Sequence, residues 1–195
     1  MLRKLLGPVL VLVVLGSAAG VAYASHNHDE DGLRAVRRAT QQFRKLSVAD
    51  KAGYKLLVDK DGIACIDMPG MGAMGVHYAK GALVPDGAIN PLTPEAVIYE
   101  PGEDGRMRLV ALEYVVLKDA WDANHSSPPS LFGHEFNFTP AGNRFDLPPY
   151  YSLHVWLYKH NPAGTFAPWN PDVTCAPDDD HGGHEGMEHM GSMDG

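Results

Sequence analysis

The spacing of apolar side chains predicts an α+β chain. Leu33, Val36, Thr40, Phe43 and Leu46 recur at intervals of three and four, which puts them on one stripe of a helix. Arg34, Arg37, Arg38, Arg44 and Lys45 lie around its other faces. Ser47 with Asp50 resembles a capping box, so a short second helix should follow and end near Gly53. From Tyr54 onward the apolar runs are short and interrupted by turn residues. Tyr54 to Val58 and Ile63 to Met68 flank Asp59-Lys-Asp-Gly62, which predicts a hairpin. Ala96 to Glu100 and Met107 to Leu117 flank Pro101 to Gly105 in the same way. Tyr150 to Tyr158 is the last strong strand.

Period two divides the faces of the longer strands. Leu109, Ala111, Glu113 and Val115 share one face of the 107–117 strand, and Val110, Leu112, Tyr114 and Val116 share the other. Both faces are apolar, so the strand is expected to be buried on both sides. Glu113 is then a carboxylate at a core position, where it needs a metal, a basic partner or a raised pKa. On the last strand Tyr151, Leu153, Val155 and Leu157 face one way, and Ser152, His154, Trp156 and Tyr158 the other. The expected architecture is a set of N-terminal helices packed on an antiparallel sheet of five or six strands, open or curled toward a barrel.

One stretch fits neither period. Asp67 to Tyr78 places Met68, Met71, Met74 and His77 at intervals of three among glycines and a proline. Gly and Pro oppose a helix, so the stretch reads as a tight loop entering a short strand over 76–79. Thioethers and imidazoles suit a soft metal such as copper. The plain alternative is that the methionines fill core gaps. Two histidines and a carboxylate from separate strands, His77, His154 and Glu113, form the candidate metal site, with zinc or iron as alternatives to copper. His134, in the long irregular segment from Lys118 to Pro149, and the loop residues Met71 and Met74 are additional candidate ligands.

The two ends differ from this middle. Arg3 and Lys4, the apolar run Leu5 to Leu15 and the small residues at Ala22-Tyr-Ala24 read as a signal peptide over 1–24, hence an exported protein, periplasmic or extracellular. Membrane contact is expected only through that segment if it stays uncleaved. Residues 25–31 are a polar leader, 32–175 a single domain, and 176–195 an acidic tail without apolar periodicity. The tail carries His181, His184, Met187, His189, Met190 and Met193, a composition suited to capturing copper. Cys65 and Cys175, the only cysteines among 195 residues, are expected to pair in an oxidising compartment. The formal charge of −8 excludes nucleic acid as a natural partner, because phosphate binding needs clustered Lys and Arg. No protein partner is legible.

Four blocks, Met74-Gly-Val-His-Tyr78, Leu112-Glu-Tyr-Val-Val116, Leu153-His-Val-Trp156 and Phe166-Ala-Pro-Trp-Asn-Pro171, resemble a family of uncharacterised exported bacterial proteins. The resemblance covers roughly Ala39 to Cys175 and implies export and one compact domain, but no reaction. No nucleophile elbow, phosphate loop, dinucleotide fingerprint or His-Glu-x-x-His helix is present. The expected function is copper storage, delivery or sequestration. A pocket for a small apolar ligand, with Glu113 and His154 orienting the guest, is the second expectation, and a structural module of the envelope the third.

Overall fold

The computed structural model describes residues 18–175, and residues 18–28 through their backbone alone. The apolar run at Leu5 to Leu15 and the His/Met-rich tail lie outside the described residues. Helix α1 (Ala18–Thr40) runs through the expected polar leader at 25–31, so that segment is helical. The predicted single stripe to Leu46 breaks at Thr40. Its buried hydroxyl donates to the Val36 carbonyl at 2.8 Å and sits 2.8 Å from the Tyr158 hydroxyl. Such back-bonding bends helices, and the chain tightens into a 3₁₀ turn over Gln41–Arg44. Helix α2 (Leu46–Lys51) follows. Its N-cap is Lys45 without a side-chain bond, so the expected Ser47–Asp50 box does not form. Gly53, at φ 96°, ends the helix as expected.

Among the described residues nine strands follow: β1 (Lys55–Leu56), β2 (Cys65–Met68), β3 (Gly72–Ala79), β4 (Ala96–Pro101), β5 (Met107–Leu117), β6 (Ser130–Leu131), β7 (His134–Glu135), β8 (Asn137–Thr139) and β9 (Tyr150–Val155). Helix α3 (Lys118–Asp122) follows β5 directly. Seven strands form one antiparallel sheet in the order β1-β3-β4-β5-β9-β8, with β2 also paired to β3. β1 and β8 end the path without meeting, so the described sheet is open and not a barrel, and it exceeds the five or six strands expected. β6 and β7 form a small separate hairpin.

The expected hairpin of residues 54–68 does not form. β1 and β2 each pair with β3 and not with one another. The turn itself is present, because the Asp59 side chain accepts the amides of Asp61 and Ile63 at 3.0 and 2.8 Å. β3 starts at Gly72, four residues earlier than expected. A Cβ at Gly72 would lie 2.1 Å from the Asn170 carbonyl oxygen, so only glycine lets residues 170–171 cross there. Ala73 and Asn170 exchange both backbone hydrogen bonds at 3.1 Å.

The sheet has two unlike faces. One carries the helices: Val36, Phe43 and Ala49 pack with Val97, Tyr99, Leu109 and Leu112. Leu109 therefore shares a face with Leu112, contrary to strict alternation. Tyr99 pairs with Leu109 while Ile98 pairs with Ala111, so Val110 is an extra residue at a bulge and the alternation resets there. Above the bulge the expected faces hold as far as Val155, where β9 ends short of the expected Tyr158; Tyr158 itself, expected beside His154, instead meets Thr40 of α1. Tyr114, Val116, Tyr151, Leu153 and Val155 join Leu33 of α1 on the helix side. Glu113, Val115 and His154 belong to the other face.

Cys65 and Cys175 are bonded, which ties β2 to the end of the described chain over a separation of 110 residues. Chain entropy predicts that this link stabilises the fold by about 4–5 kcal/mol. Replacing both cysteines with serine should lower the urea midpoint and raise the slope, because the unfolded chain then expands, as a denaturation series would read. An unchanged midpoint would show that the unfolded chain is not restrained by this link.

Candidate functional site

The site is built by strand register. Glu113 of β5 stands directly opposite His154 of β9. His77 of β3 pairs with Ile98 of β4, which in turn pairs with Ala111 of β5, two residues before Glu113. Residues two apart on a strand point the same way. Three polar side chains thus meet on the face that the helices leave uncovered.

Their geometry is close. His77 Nε2 lies 3.5 Å from Glu113 Oε2, and His154 Nδ1 lies 3.7 Å from Glu113 Oε1. The imidazole rings are 5.9 Å apart, edge to face. One ligand atom from each residue falls within 4.8 Å of the others. The histidine side chains are 2% and 3% exposed and that of Glu113 12%, so Glu113 is the most accessible of the three. None of the four imidazole nitrogens has a hydrogen-bond partner. Burial lowers both histidines to about 4, and at His77 the opposing pull of Glu113 does not offset it. Both rings are therefore neutral near pH 7, with lone pairs free. Burial raises the Glu113 carboxyl, against His77 and the Ser152 hydroxyl, which lower it.

A cavity of about 300 Å³ opens beside Glu113. Val84, Val115, Leu117 and Leu147 are among its walls, and its carboxyl groups are Glu113 and Glu95. Sequence reading passed over Glu95, because an acid at the start of a strand looks like any exposed strand end. It is 2% exposed. Its Oε2 accepts the Val115 amide at 3.0 Å. Burial pushes its pKa up to about 8 against that hydrogen bond. The backbone before it is fixed by the Tyr54 hydroxyl, which donates to the Pro94 carbonyl at 2.8 Å.

A strap closes the site from the long segment before β9. Phe145 packs edge-on to His77 at 6.3 Å, and Leu147 and Pro148 line the cavity. Asn143 knots the strap: its amide donates to the Pro140 and Leu147 carbonyls, and its oxygen accepts the Phe145 and Leu147 amides. Arg144 clamps it to the 59–62 turn through a 2.9 Å bond to the buried Asp59. The Asp-x-Asp-Gly fragment thus serves as an anchor.

The other candidates lie elsewhere. Met68 and Met71 are 40% and 47% exposed. Met74 is the extra residue at a second bulge, between the pairs Ile66–Gly75 and Asp67–Ala73. His134 is exposed on β7 and stacks on Phe166 at 3.8 Å. His181, His184, Met187, His189, Met190 and Met193 fall outside the described residues.

Glu95 generates a pH test. Its folded carboxyl keeps its proton to about 8, while an unfolded glutamate releases it near the ordinary 4.5. The folded state therefore binds more protons across that window, and stability should fall as pH rises through it. Glu95→Gln, which can still accept the Val115 amide, should remove that loss. Its gain over the native chain should grow by about 1 kcal/mol per pH unit from about pH 5 to 8. Urea midpoints at several pH values would read this, and a gain independent of pH would show that Glu95 is ionised in the fold.

No family model, no curated protein and no solved structure matches the chain.

Proposed function

We propose that this is an exported metal-binding protein whose domain holds one ion through His77, Glu113 and His154. The observation that carries the reading is the pair of buried imidazoles with four unpartnered nitrogens around one carboxylate. Leaving a buried polar group unpaired costs about 1–3 kcal/mol. A structural cluster would be expected to pair those nitrogens with hydroxyls or carbonyls. Ligand atoms about 2.1 Å from a shared ion sit about 3.0–3.4 Å apart; the two nitrogen–oxygen separations here are 3.5 and 3.7 Å and all three ligand atoms lie within 4.8 Å, so a small inward movement would seat an ion. Metal ligands must also be deprotonated, and burial already keeps both rings neutral.

The donor set, two nitrogens and a carboxylate, suits a borderline divalent ion, with coordination positions left open. Copper is the first candidate because of the His/Met-rich tail, and zinc and iron are the alternatives. With the methionines of the 68–74 loop exposed or set at a bulge, the domain site favours copper(II) over copper(I). A site this enclosed suits storage or sequestration, with the tail as the capturing arm. Export is supported by the N-terminal pattern and the disulfide. No described helix is long and apolar enough to cross a membrane.

The full chain and a chain ending at Cys175 would each be incubated with copper(II), zinc or iron(II), desalted and assayed for metal. The shorter chain should retain one ion and melt at higher temperature with it. His77→Ala, Glu113→Ala and His154→Ala should each weaken retention by more than the 10–100-fold that outer partners of a ligand are worth, roughly. Retention by the full chain alone would assign metal binding to the tail. Retention unaffected by all three substitutions would remove the ion from this site.

A further inference from the structure

The cavity beside Glu113 is larger than an ion needs, and it is dry in character. We infer that it receives a small uncharged molecule, apolar in its body and carrying one nitrogen or oxygen donor, with the donor end directed at Glu113 and the ion held there. The inference rests on the metal reading for the donor end and on the cavity for the body.

Size bounds the guest. A dry cavity of about 150 Å³ takes benzene, so 300 Å³ takes a molecule of about a dozen heavy atoms. Charge bounds it further. Among the described residues no lysine, arginine or histidine lines the cavity, while Glu95 and Glu113 both do. An anion would enter beside two carboxyl groups with no counter-charge. A cation has less to attract it than the count of carboxyls implies, because burial keeps Glu95 protonated up to about pH 8. Position decides the orientation. Glu113 is the most exposed of the three site residues and the only one on the cavity wall, so the positions left open at the ion face the cavity. Val84, Leu117 and Leu147 offer no polar side chain for a second head group, and the polar side chains of the lining besides Glu113 are Glu95 and Tyr150.

The probes are 4-phenylimidazole, which joins an azole donor to an aromatic body, and imidazole, which is the donor alone. The full chain would be loaded with Co(II) and followed by visible absorption at about pH 7.5. Both probes should shift the spectrum, and the phenyl ring should tighten binding about 10–100-fold by its burial. Ala96→Leu, which fills space across from Glu113 in the register, should keep Co(II) and bring the ratio to about 1–3. Leu117→Trp, from another wall, should do the same if Ala96→Leu fails to fold. A native ratio near one, or a ratio unmoved by the filling substitutions, overturns the inference and leaves the metal site standing. If Co(II) does not bind, the copper(II), zinc and iron(II) retention assay decides the metal reading separately, and NMR of the Val115 and Leu147 methyl groups in the metal-free chain decides the cavity. Shifts confined to those walls on adding 4-phenylimidazole would retain the guest without the ion, and their absence would overturn it.

Discussion

Burying Glu113 is the constraint on which the rest depends. A carboxylate in the middle of an apolar strand must find compensation, and here its neighbours are two imidazoles that themselves lack hydrogen bonds. A fold with a net stability of about 5–15 kcal/mol loses a noticeable share of it to several such groups. The sheet supplies that stability from its other face. Val36, Phe43, Val97, Tyr99 and Leu112 are all 8% exposed or less, and the helices seal them. The two faces therefore divide the work. One is packed with its buried hydroxyls at Thr40 and Tyr99 hydrogen-bonded, and the other carries a site that would weaken a thinner core.

Much of this division is legible in the sequence. Period two above the bulge put Glu113 and His154 at buried positions and assigned their faces correctly. What it could not give was register. Glu113 opposite His154 is a fact about pairing across an excursion of more than thirty residues, and nothing local specifies it. The bulge at Val110 was equally hidden, because Leu109 and Val110 are both apolar and either could face the helices. Glu95, Asp59 and Arg144 were missed for one physical reason. Each acts through a partner distant in sequence, and each looks like a surface residue when read alone.

The Gly-rich stretch shows how composition can point at the right place for the wrong reason. Its methionines drew attention as ligands, yet its glycines explain it. Gly75, at φ 100°, would put a Cβ 2.6 Å from the Tyr99 carbonyl oxygen, and Gly72 makes room for Asn170 and Pro171. The stretch is a close crossing of backbones that sets the height of β3 in the sheet. That height delivers His77 to the other two residues. The pairing of Ala73 with Asn170 brings the segments around 72–78 and 166–171 into contact.

The strap of residues 143–148 bears on whether the site holds or turns over its contents. Asn143 makes four hydrogen bonds to it, Phe145 covers His77, and the Arg144–Asp59 pair fastens it across the sheet edge. The Asp59 side chain is 2% exposed, so opening the strap would strand a buried carboxylate. Burial alone would raise that carboxyl, but the Ile63 and Asp61 amides and Arg144 hold it below the ordinary range, so it stays charged and the cost of parting the pair is high. A cover fastened in this way would slow exchange, which fits the proposed retention of an ion. The cavity is lined by the same cover at Leu147 and Pro148, and both backbone groups of Leu147 are held by Asn143, so a guest passing there would meet a fastened apolar edge.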